Sequence, residues 1–152
     1  MHTTIFALLA MGAGACIAMQ ASANGKFRQN LGDHPQFALW AMFFSIIGTI
    51  LTAAAVMLVV RPPLPSAEAI RGTQWWNWIG GPLGALIVLA GAALARELGA
   101  ALFIALVVGG QLLCSLLLDH FALLGLQEQP VTAGRVLGAV LVVGGVVCIK
   151  YL

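Results

Sequence analysis

Five runs of mainly apolar residues divide this chain, and no Asp, Glu, Lys or Arg stands in the middle of any of them. Each run is close to the roughly 20 residues that an α-helix needs to cross the hydrocarbon core of a bilayer. Only 8 % of the 152 residues are charged and 61 % are hydrophobic, too few charges to cover the surface of a water-facing domain of this length. The expected class is therefore an all-α integral membrane protein of five spans, a single transmembrane domain over residues 1–152 that meets the lipid bilayer on most of its surface. A net charge of +2 with no basic stripe excludes a nucleic-acid partner.

The spans are expected at about 3–23, 36–60, 76–95, 98–118 and 131–149. Ala21-Ser22-Ala23 has the look of a signal-peptide cleavage site, but no Lys or Arg precedes the first run and Gln20 interrupts its end, so the run is read as a span. A polar stretch from Gly25 to Pro35 follows it. Arg61-Pro62-Pro63-Leu64-Pro65 stops the second span, because proline lacks the backbone donor a helix needs. Trp75, Trp76 and Trp78 open the third span as an interfacial aromatic belt, with Trp78 the one expected to turn inward toward a ligand. Arg96-Glu97-Leu98-Gly99 makes a very short third connection, and Asp119-His120 marks the exit of the fourth span. The spans use about 100 residues, which leaves no room for a soluble catalytic domain.

The Lys and Arg residues distribute almost evenly. One side of the membrane holds Arg61, Arg71 and Arg135; the other holds Lys26, Arg28, Arg96 and Lys150. Orientation follows the excess of Lys and Arg in short cytoplasmic loops, and three against four is hardly an excess. Dual insertion, and with it an antiparallel homodimer, is the simple reading; orientation by the longer first connection or by an unseen partner chain is the other. Glycine and alanine at helical spacing, Gly80 with Gly84, Gly91 with Ala95 and Gly134 with Gly138, read as seams where helices approach closely.

Polar side chains inside the apolar runs are the candidate functional residues. Gln20 and Asn24, four apart, share a face at the end of the first span. Gln111 stands well inside the fourth span beside Gly109 and Gly110. Amides facing lipid are costly, so these three are expected to line a substrate path or to clamp neighbouring helices. Ser45, Thr49 and Thr52 line one face of the second span, either toward a path or bonded back to their own helix carbonyls. Asp119 with His120 and Arg96 with Glu97 are candidates for a proton relay or a gate, or for simple closure of helix ends. Cys16, Cys114 and Cys148 lie in apolar runs without CxxC spacing, and no metal-ligand, nucleotide-binding or triad motif is present. No enzyme activity, cofactor or metal is expected.

Several blocks carry a resemblance. Trp75-Trp76-Asn77-Trp78-Ile79-Gly80-Gly81-Pro82-Leu83-Gly84, the run from Gly110 and Gln111 through Asp119, His120 and Phe121 to Gly125, the Gln20 and Asn24 pair, Phe44-Ser45-Ile46-Ile47-Gly48-Thr49, and Pro130, Val131, Arg135, Gly138 and Gly144 together resemble the YdcZ-type family of small bacterial inner-membrane proteins in the drug/metabolite transporter superfamily. The resemblance covers essentially the whole chain. It implies a five-helix unit equivalent to half of the ten-helix members, assembled with a second unit in the opposite orientation, as a homodimer, a paralogous pair or a fused repeat. It also implies transport of a small metabolite or drug-like molecule. Where a proline is common in that family just before the Leu-Gly of the fourth span, this chain has Arg96-Glu97. The expectation is a secondary transporter, an exporter working as an inverted dimer by alternating access, in the bacterial inner membrane. A non-transporting scaffold and an obligate subunit of a heterodimeric transporter are the rival readings.

Overall fold

The computed structural model describes residues 2–152, all of its regular structure helical. In chain order these are α1 (His2–Leu31), α2 (Phe37–Val60), the short α3 (Ala67–Arg71), a 3-10 turn (Trp75–Trp78), α4 (Gly80–Leu98), α5 (Ala100–His120), a second 3-10 turn (Leu123–Gly125) and α6 (Ala133–Tyr151). Five of them, α1, α2, α4 with its leading 3-10 turn, α5 and α6, are long and apolar enough to cross a membrane. Leucine, valine and isoleucine side chains are exposed along all five. In water such surfaces would drive collapse, whereas lipid tails solvate them as well as a protein interior does.

The element ends follow from local chemistry. Arg61 takes a left-handed conformation (φ 48°) and ends α2 ahead of the proline cluster. In the connection that follows, the Ser66 hydroxyl accepts from the Ala69 N–H at 3.1 Å and starts the five-residue α3, an element that hydropathy does not announce. Gln74 and Asn77 cap the tryptophan turn reciprocally, the Gln74 N–H donating to Asn77 Oδ1 at 2.8 Å. One residue, Gly99 (φ 81°), separates α4 from α5. Thr132 caps α6 by accepting from the Arg135 N–H.

The first helix departs most from the sequence expectation. It continues through Lys26, Arg28, Gln29 and Asn30 to Leu31 rather than stopping near Ala23. Thirty residues of α-helix span about 45 Å, so the final turns project past the roughly 30 Å hydrocarbon core. Lys, Arg and Gln are good helix formers, so polarity alone does not end a helix.

Contacts group the chain into two compact units, residues 1–93 and 94–152. In the first, α1 packs along α2, and Ala38 and Ala41 of α2 meet Ala92 of α4, with Leu89 and Ala93 against them. Ala41 and Ala92 are completely buried. Small side chains are what permits two helix backbones to come this close. Arg28, half-buried, donates to the Ala93 carbonyl at 2.9 Å and ties the end of α1 to α4. In the second unit α5 packs along α6, with Gly109 and Ala139 buried; a Cβ on Gly109 would lie 4.0 Å from Val146 Cγ2.

Candidate functional site

The first unit joins the polar residues of α1 and α2 into one cluster. Gln20 and Asn24, one turn apart on α1, both point their amide nitrogens at Ser45 of α2. Asn24 Nδ2 donates to Ser45 Oγ at 3.2 Å and Gln20 Nε2 at 3.5 Å. All three side chains are half-buried. Below Ser45 the α2 face continues with hydroxyls whose protons are already engaged: Thr49 Oγ1 donates to the Ser45 carbonyl at 3.0 Å and Thr52 Oγ1 to the Gly48 carbonyl at 2.9 Å. Gln20, Ser45, Gly48, Thr49, Thr52 and Ala53 line a groove of about 560 Å³ along α1 and α2.

Aromatic rings flank this cluster, a feature that the sequence reading missed. Phe27 of α1 meets Phe44 of α2 edge to face, with centroids 5.8 Å apart, and Phe44 also neighbours Trp40 and Phe43. The sequence signal was available, since Trp40 and Phe44 are one helical turn apart and Phe44 precedes Ser45 directly.

The second unit holds a separate ionic clasp. Asp119, near the end of α5, accepts from Arg135 Nη1 of α6 at 3.5 Å, with about a third of each side chain exposed. Arg135 also donates to the Gln129 carbonyl at 3.2 Å and to its side-chain oxygen Oε1, while the Gln129 N–H donates to the Asp119 carbonyl at 2.9 Å. His120 is exposed and accepts from the Val131 N–H at 3.5 Å. These bonds bind the residue 121–132 connection to both helices. Neighbouring in sequence, Asp119 and His120 thus have different partners, and Arg135 and Gln129 are members of the cluster that sequence reading left out. A cleft of about 410 Å³ lies beside the clasp, walled by Leu112, Leu116, Ala139 and Val142.

The other sequence candidates are not among the residues of either cluster. Gln111 is exposed on α5 and its side chain makes no hydrogen bond among the described residues. Arg96 and Glu97 are exposed at the α4–α5 turn. Trp78 is 64 % exposed and donates from Nε1 to Thr73 Oγ1 at 3.0 Å, so it holds the tryptophan turn together; Trp76 is the more buried ring, packed edge to face on Trp75. A Cβ added at Gly80, Gly84, Gly134 or Gly138 would meet no atom within 4 Å. Gly91 is buried. Cys16, Cys114 and Cys148 are free and exposed. No group of three or more potential metal ligands occurs among the described residues.

Comparison with known proteins gives a single consistent result. Residues 5–148 match the family described as "Putative inner membrane exporter, YdcZ". The chain is 31 % identical over 107 residues to the inner membrane protein YdcZ of Escherichia coli (strain K12), covering 70 % of this chain and 71 % of that protein. No solved structure matches it.

Proposed function

The chain belongs to the YdcZ family of drug/metabolite transporter-like membrane proteins, and from that premise we propose that it carries a small organic solute outward across the bacterial inner membrane. The observation that supports this most is the uncharged polar cluster of Gln20, Asn24 and Ser45, of which Gln20 and Ser45 line the groove together with Thr49 and Thr52. Polar side chains at membrane depth are costly facing lipid and so turn to the bundle interior or a polar cavity. The working unit in this reading is a pair of chains in opposite orientations that rock between inward- and outward-open states. The near-even distribution of Lys and Arg favours that pairing. So does Gln111, whose exposed amide would face lipid unless a second chain or a solute covers it. The open Gly80, Gly84, Gly134 and Gly138 are candidate contact points for the second chain, either a copy or a paralogue.

The test is export from cells. Solutes accumulating outside cells that overproduce the protein are compared, by mass spectrometry, with those outside cells carrying Gln20→Leu or Gln111→Leu at equal membrane abundance. We expect a solute exported by the parent protein and not by either variant. Equal export by a variant that inserts normally removes that residue from the path, and equal export by both overturns the reading.

A further inference from the structure

The groove on α1 and α2 has a hydrogen-bonding character that narrows what it can hold, an inference that rests on the transport reading above. Thr49 and Thr52 have given their hydroxyl protons to backbone carbonyls of their own helix, so each offers the groove only oxygen lone pairs. Ser45 Oγ accepts from both Gln20 and Asn24, which fills its lone pairs. The side-chain carbonyl oxygens of Gln20 and Asn24 then remain without a hydrogen bond among the described residues. The Ser45 proton and the second hydrogen of each carboxamide nitrogen are the donors beside these oxygens. Along Thr49 and Thr52 the wall offers acceptors alone.

It is also uncharged. None of the residues lining it is ionisable, and α2 contains no Asp, Glu, Lys or Arg. Lys26 lies six residues beyond Gln20 on α1, about 9 Å along the helix axis. A cation in the groove would be stripped of water with no counter-charge, and an anion would meet oxygen lone pairs. Gly48 and Ala53 leave the rest of the wall small and apolar, and a Cβ on Gly48 would touch nothing within 4 Å.

We propose that this groove takes a neutral amphipathic solute through its hydroxyl or amide hydrogens, donated to Thr49, Thr52 and the Gln20 amide oxygen, with the solute's apolar part along Gly48 and Ala53. The test uses proteoliposomes of the full chain and three probes: phenyl β-D-glucoside, its tetra-O-methyl ether, and tetraphenylphosphonium. Binding and flux are measured on the same vesicles. The glucoside should bind saturably and be carried, and neither the ether nor the cation should compete. Thr49→Val removes the lone pairs but keeps the shape and should weaken glucoside binding about two- to tenfold; Thr49→Ser should restore it. Gly48→Leu, which fills open space without removing a hydrogen bond, should abolish it.

Equal competition by the ether, unchanged binding in Thr49→Val, or no saturable binding of the glucoside overturns the proposal. Carriage of tetraphenylphosphonium but not of the glucoside overturns the solute class and leaves the transport reading standing. Binding of the glucoside without flux does the reverse.

Discussion

Ser45 is the shared acceptor of two amides, and that makes it the most informative residue for separating structure from function. Truncation to alanine leaves the half-buried Gln20 and Asn24 amide N–H groups without their partner. A buried donor that loses one partner costs more than a pair replaced together by apolar groups. We therefore expect Ser45→Ala to lower stability by about 1 kcal/mol, and the triple variant Gln20→Leu/Asn24→Leu/Ser45→Ala to recover much of that loss. Denaturant titration in mixed micelles checks both; a triple variant less stable than Ser45→Ala would show that the amides hold the helices by other means. Half of this cluster is legible in the sequence, because residues four apart share a helix face. Its other half depends on how α1 and α2 are rotated and in which register they pack, and no spacing rule carries that. Trp78 illustrates the same limit: its place at the head of a span is readable, but its bond to Thr73 arises from a turn capped by Gln74 and Asn77.

At the scale of elements, hydropathy locates all five spans but misplaces the end of the first. The apolar signal fades at Asn24 while the helix runs on to Leu31, held at its end by the bond from Arg28 to Ala93, a residue 65 positions away. The opposite case is the α4–α5 turn, whose position and tightness follow from Gly99 alone. Its φ of 81° with ψ of 145° lies in a region open essentially only to glycine. A Cβ there would meet no atom within 4 Å, so any cost of substitution comes from the backbone. Gly99→Ala is expected to lower stability by about 1–3 kcal/mol and to be visible as a lower thermal unfolding midpoint. An unchanged midpoint would mean that the turn relaxes to another conformation. The clasp of Asp119, Arg135 and Gln129 lies between these cases: both charges are visible in the sequence, but their pairing needs the intervening connection to fold back.

For the whole molecule, the proposed inverted pairing turns on the near-equality of Lys and Arg in the connections on the two sides that five spans would define. On a five-span reading Arg61, Arg71 and Arg135 are expected on one side, and Lys26, Arg28, Arg96 and Lys150 on the other. The extension of α1 leaves Lys26 and Arg28 on the same side, since it carries them beyond the hydrocarbon rather than back into it. Where the difference is so small, a few added charges decide orientation. A short run of lysines after Leu152 should fix one orientation, and a similar run beside Arg71 the other. Single cysteines at the termini, on a background without the free and exposed Cys16, Cys114 and Cys148, report the result by labelling from each side of the membrane. If the working unit is an inverted pair of this chain, each locked variant alone should lose export while inserting normally, and the two expressed together should regain it, because only then are both orientations present. Export by one locked variant alone would remove the inverted homodimer. Failure of the mixture, with both orientations demonstrated by labelling, would remove it equally and assign the second orientation to a different chain.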